Sequence, residues 1–215
     1  LDELGQRLLP RLRHASDYRF HPLLSMDRVV SARRYDFDEL LEEATSELKA
    51  SPCPPDAVVG YWDFPTSVLA PLISRRLHLK GPTLESVLKC EHKYWSRVEQ
   101  QVVVPDCVPA FQAIDPFSDD TLAERQLAYP FWLKPIKAHS SQLGFRIDSD
   151  DGFRAALAAI RDRIGRYARP FDSALKHAAI PDSIAATRHK TCIAEGMISN
   201  GQQCTLEGFV YRGQM

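Results

Sequence analysis

Tyr129-Pro-Phe-Trp-Leu-Lys-Pro-Ile-Lys-Ala-His-Ser-Ser-Gln-Leu-Gly-Phe-Arg-Ile147 holds two short apolar runs around a polar loop. Phe131–Pro135 and Phe145–Ile147 read as strands joined in antiparallel fashion. Lys134 closes the first run against Pro135, and an ammonium at the end of an apolar strand costs desolvation unless an anion meets it. Between the strands, Ser140, Ser141 and Gly144 are small residues whose hydroxyls and N–H groups suit phosphate oxygens. The loop is not a Walker A sequence, and no GxGxxG precedes a helix. Taken alone, the same residues also describe a surface β-hairpin with an edge lysine.

Working outward, the pattern is one of strands alternating with helices. Residues 18–24 form a short strand candidate. Phe37, Leu40, Leu41, Ala44 and Leu48 then recur at helical spacing behind Asp36, with Glu39 three residues on as in a capping box. Pro52, Pro54 and Pro55 close that helix, residues 57–61 read as a buried strand, and a second amphipathic helix starts at Thr66. Such alternation predicts a Rossmann-like unit with a mainly parallel sheet over residues 1–80. Gly81 and Pro82 break the chain, and Thr83 caps a helix with the apolar stripe Leu84, Val87, Leu88, Trp95 and Val98. Residues 101–111 read as extended, and residues 167–190 carry too little periodicity to assign. A helix is expected along Phe153, Ala156, Leu157, Ile160 and Ile164, and strands at residues 192–195 and 203–211.

Composition narrows the partners. Hydrophobic residues make up 44% and charged residues 26% of 215, ordinary values for a packed protein. The net charge of −1 provides no field for nucleic acid or an anionic membrane, and no apolar run has the length of a membrane span. Five scattered cysteines without CxxC spacing argue against zinc and disulfides and for reduced thiols in a cytoplasmic protein. The chain opens at Leu1 into helix-like residues and closes on a strand-like run with a turn signal at Gly213 but no return strand. We therefore expect a portion of a longer protein.

Three further clusters carry chemistry. In Leu88-Lys-Cys-Glu-His-Lys-Tyr-Trp-Ser-Arg97, Lys89 and Lys93 lie four apart on a helical face that Arg97 extends; a solvated basic face is the alternative. Glu195-Gly-Met-Ile198 runs out of a strand and offers unpaired backbone groups to a flat heterocycle, or is a plain β-connection. In Gly60-Tyr-Trp-Asp-Phe-Pro-Thr66, Asp63 either caps the Thr66 helix or orients a substrate at a strand end.

In this order the clusters resemble the ATP-grasp superfamily, which includes biotin carboxylase and D-alanine–D-alanine ligase. The stretches GYWDFPTS (residues 60–67) and KCEHKYWSR (residues 89–97) make the resemblance specific, and it spans nearly the whole chain. It implies an α/β fold in which a Rossmann-like preceding domain (residues 1–80) leads into an incomplete ATP-grasp α+β domain (residues 81–215, second lobe truncated). It also implies that Lys93 and Lys134 meet the nucleotide phosphates and that the loop with Ser140, Ser141 and Gly144 covers them. Glu195, Met197 and Ile198 then face adenine, Glu207 lies near ribose or phosphate, and Asp63 stands on the substrate side. Activity would be ATP-dependent activation of a small carboxylate as an acylphosphate for attack by an amine or other nucleophile. A biotin-carboxylase-like or kinase-like phosphotransferase and a non-catalytic nucleotide-binding module share the same residues. The family's Mg²⁺ ligands fall beyond Met215, and no E-x-N pattern follows Lys134, so the 215-residue chain alone is expected to be inactive. A homodimer is left open.

Overall fold

The computed structural model of the chain describes residues 2–32, 34–138, 142–187 and 191–198, with Gly208 and Gln214. The helices are α1 (Glu3–Leu8), α2 (Met26–Val29), α3 (Phe37–Ala50), α4 (Thr66–Arg76), α5 (Leu84–Glu91) and α6 (Lys93–Val103), followed after the first strands by α7 (Asp150–Arg163), α8 (Gly165–Leu175) and α9 (Asp182–Ala185). The strands are β1 (Phe111–Ile114), β2 (Phe131–Pro135), β3 (Phe145–Ile147) and β4 (Cys192–Gly196).

Helix α3 starts where its chemistry requires. The Asp36 carboxylate accepts from the N–H groups of Asp38 and Glu39 at 2.9 and 3.0 Å. Phe37, Leu40, Leu41 and Ala44 then bury one face. Thr83 and Ser149 cap α5 and α7 in the same manner, accepting from Ser86 and Gly152.

The sheet is wholly antiparallel in the order β1-β4-β2-β3. Pairing of Phe131 with Ile147 and Leu133 with Phe145 is the hairpin expected from the loop sequence. Alternation sorts the side chains: Phe131 and Leu133 of β2, with Cys192 and Ala194 of β4, pack on Phe153, Ala156, Leu157 and Ile160 of α7. Trp132, Lys134, Ile193 and Glu195 therefore share the opposite face, which lies toward α6.

The parallel sheet expected over residues 1–80 is not formed. Residues 18–24 and 57–61 make no strand, and the described residues before Phe111 hold only helices, turns and coil. Val59 is 79% exposed and Tyr61 50%, so the apolar run 57–61 buries little, and no strand among the described residues pairs with it to take its N–H and C=O groups. The expected extended segment 101–111 is instead the end of α6, a 3₁₀ turn at Pro105–Cys107 and the start of β1. Residues 165–175 and 182–185, unassigned from the sequence, are α8 and α9. Their Phe171, Ala174, Leu175 and Ile184 join Phe37, Leu41, Leu72 and Trp95 in one helical core, which therefore runs across the expected boundary at residue 80. Among the described residues no helix is long and apolar enough to cross a membrane.

Candidate functional site

The helix expected to run unbroken past Lys89 is broken at His92. Its backbone is extended (φ −87°, ψ 98°), and it both ends α5 and caps α6, with Nδ1 accepting from Trp95 N–H at 3.1 Å. The break separates Lys89 from Lys93. Lys89 pairs with Glu99 at 2.9 Å on the outside, whereas Lys93 opens α6 and turns to the sheet. There the Lys93 N–H donates to the Ile136 carbonyl (3.0 Å) and Nζ to the Ala138 carbonyl (2.8 Å).

Glu195 is the buried acid of this face, 4% exposed. Its carboxylate takes Arg97 Nε of α6 on one oxygen and Lys134 Nζ of β2 on the other. Two residues beyond β2, Lys137 is 5% exposed and meets the carboxylates of Glu91 and Asp63, the latter at 3.1 Å. Ser67 Oγ donates to the other Glu91 oxygen. Asp63 is no helix cap: Pro65 occupies that position, and the Asp63 side chain accepts from Phe64 N–H at 2.6 Å.

The cations are crowded enough to act on each other. Burial, then the charges of Lys137 and Lys134, lower Lys93 from its ordinary value to about 8, against the pull of Asp63 and Glu91. The structure thus gathers Lys93, Lys134, Glu195 and Asp63 around one sheet face and the residues just before the loop. Gly144 is exposed behind Leu143, whose left-handed backbone (φ 57°) turns the chain into β3. Met197 is half-buried and Ile198 exposed, directly after β4. Ser140, Ser141 and Glu207 lie outside the described residues, as does the expected strand 203–211 apart from Gly208.

Sequence reasoning missed Glu91 and Lys137. Lys137 follows Lys134 by three residues in a polar stretch, and nothing local distinguishes it from a solvated lysine; its acids stand 46 and 74 positions earlier. Among the described residues no three His, Cys, Asp or Glu side chains gather as a metal site.

No family model and no curated protein matches the sequence. Solved structures do. An L-amino acid ligase from Bacillus licheniformis aligns with 73% of this chain and 33% of its own, at 19% identity and a TM-score of 0.53. A D-alanine–D-alanine ligase from Helicobacter pylori aligns with 62% of this chain and 35% of its own, at 14% identity and a TM-score of 0.40. The first likeness is one of fold. The chain spans about a third of the length of each ligase.

Proposed function

We propose that this chain is part of the ATP-binding region of an ATP-grasp ligase that activates a carboxylate as an acylphosphate for attack by an amine or other nucleophile. The observation that supports it is the meeting of Lys93 and Lys134, 41 positions apart, on one face where their charges oppose each other. Like charges held together at a partly buried place are relieved by an anion, and a polyphosphate spans such a pair.

In this reading Lys93 and Lys134 face the inner phosphates, and Ser140, Ser141 and Gly144 stand on the loop above them. Glu195, Met197 and Ile198 lie on the adenine side, Glu207 near ribose or phosphate, and Asp63 toward the acceptor. The carboxylate oxygen of the substrate attacks the γ-phosphorus and ADP leaves; the nucleophile then attacks the acyl carbon and releases phosphate. The protein's part in both steps is position and charge. Mg²⁺ accompanies ATP in this chemistry, but the described acids do not fit it: Glu91 and Glu195 are occupied by Lys137, Lys134 and Arg97. No metal step is assigned to them.

Calorimetry with ADP on the full chain tests the reading. Lys134→Ala weakens binding by about 1.5–3 kcal/mol, the range for hydrogen bonds to charged groups. Binding also weakens as pH rises through about 8, where Lys93 loses its proton. Equal affinity for both proteins, flat across pH 7–9, would remove the assignment.

A further inference from the structure

Lys137 stands between the two residues that hold Lys93. The Ile136 carbonyl takes the Lys93 N–H, and the Ala138 carbonyl takes its Nζ. Lys137 itself is directed into the helical layer, to Glu91 at the end of α5 and Asp63 before α4. There its ammonium also lies over the rings of Phe64 and Phe171, at 5.3 and 5.9 Å. Ser67 fixes the far oxygen of Glu91. Burying an ammonium is costly unless it is paired, and this one has two carboxylates and two ring faces, so its place is tightly determined. The carbonyls on either side are determined with it.

We infer that Lys137 is a positioning residue: gripped by Glu91 and Asp63, it sets where Lys93 stands and ties it to the 60–64 segment. The role deepens the proposed function, resting on Lys93 as a nucleotide lysine, and separates Lys137 from the residues that touch phosphate. It also makes the acceptor side communicate with the nucleotide side. Tyr61 and Trp62 are exposed next to Asp63, and a ligand that engages this segment acts on Asp63, through it on Lys137, and so on Lys93.

The charged groups around Lys93 are Lys134 from β2, Lys137 from the loop after it, Glu91 from α5 and Asp63 from the 60–64 segment; on its own helix, Arg97 is paired with Glu195 of β4. Removing one of these charges shifts the Lys93 titration in a direction that depends on sign. Lys137→Met takes away a repelling ammonium and leaves two acids without it, which raises the Lys93 midpoint. Asp63→Asn takes away an attracting acid, which lowers it. Loosening of the fold would expose Lys93 and raise the midpoint in both variants.

Site-resolved NMR titration of the lysine side chains of the full chain, with Lys93 assigned through Lys93→Arg, reads these shifts. From a midpoint near 8 in the unsubstituted protein, Lys137→Met moves upward by a pH unit or more, Asp63→Asn moves downward, and Lys137→Arg stays close to the start. If Lys137→Met does not fold, Glu91→Gln serves in its place and lowers the midpoint. ADP affinity, measured in parallel, falls at least fivefold in Lys137→Met and recovers in Lys137→Arg. A Lys93 midpoint indifferent to Lys137→Met, or one raised by both Lys137→Met and Asp63→Asn, overturns the inference. Lysine shifts as expected in a chain that takes up no ADP support the positioning role and overturn the nucleotide reading instead.

Discussion

Glu195 is the residue on which the sheet face depends, because one carboxylate satisfies a guanidinium and an ammonium from two different elements. Glu195→Ala leaves Arg97 and Lys134 side by side without it. Both cations are near 30% exposed, so water screens part of the loss, and about 1–3 kcal/mol is expected in urea unfolding. A change below about 0.5 kcal/mol would show the pair to be solvated ornament. His92 is the second such residue. It is fully buried, and its Nε2 has no hydrogen-bond partner among the described residues. Burial lowers its pKa to about 4, with Lys93 adding to the shift against the opposing backbone contact. The unfolded chain therefore takes up this proton near pH 6.5, while the folded chain resists until about 4. Stability is present above that window and lost as pH falls through it, by up to about 3 kcal/mol from this group. His92→Asn keeps an acceptor for the α6 cap and has no such titration. Urea midpoints at pH 6.5 and 4.5 should differ less in the variant than in the parent; equal pH dependence would contradict the assignment.

At the scale of elements, local chemistry explains the starts better than the ends. The Asp36 cap holds two N–H groups of α3, and Asp36→Ala is expected to cost about 1 kcal/mol in chemical denaturation, with Asp36→Ser largely restoring it. No loss on Asp36→Ala would mean that α3 is held by its packing alone. The break between α5 and α6 was not legible, because Leu84, Leu88 and Trp95 keep a continuous apolar stripe through it. What ends α5 is tertiary: Ile136 and Ala138 accept from the Lys93 backbone and side chain, and a straight helix would carry Lys93 past them. The hairpin β2–β3 was legible, since alternation and the Gly144 turn signal lie within one short stretch. Residues 57–61 have the composition of a strand and the surroundings of a loop, and composition cannot supply a pairing partner.

For the molecule as a whole, the described residues pack in two cores. One is helical, built on α3–α6 with α8 and α9; the other lies between the sheet and α7. Phe171 of α8 is 1% exposed, edge-on to Phe64 at 5.4 Å, and lies beneath the Lys137 ammonium. Phe171→Ala should cost about 3–5 kcal/mol by opening a cavity in the helical core. It should also weaken the hold on Lys137, so the urea midpoint and the Lys93 titration change together. A loss under about 1 kcal/mol would mean that α8 is not part of that core. The contact matters for the domain expectation too, because a segment from beyond residue 165 completes the packing of helices that begin before residue 50.

The sequence by itself determined what is settled within a few residues: the caps at Asp36 and Thr83, the stripes of α3 and α7, and the hairpin around the polar loop. Helical period and capping geometry operate over one turn of chain, so the order of residue types suffices to specify them. Only the tertiary structure decided that residues 18–24 and 57–61 form no sheet, that α8 closes the helical core, and that Glu195 and Lys137 take partners up to 98 positions away. Each of those outcomes depends on which distant surface arrives opposite a given residue. Many arrangements share the same local energy, and burial of the whole chain selects among them.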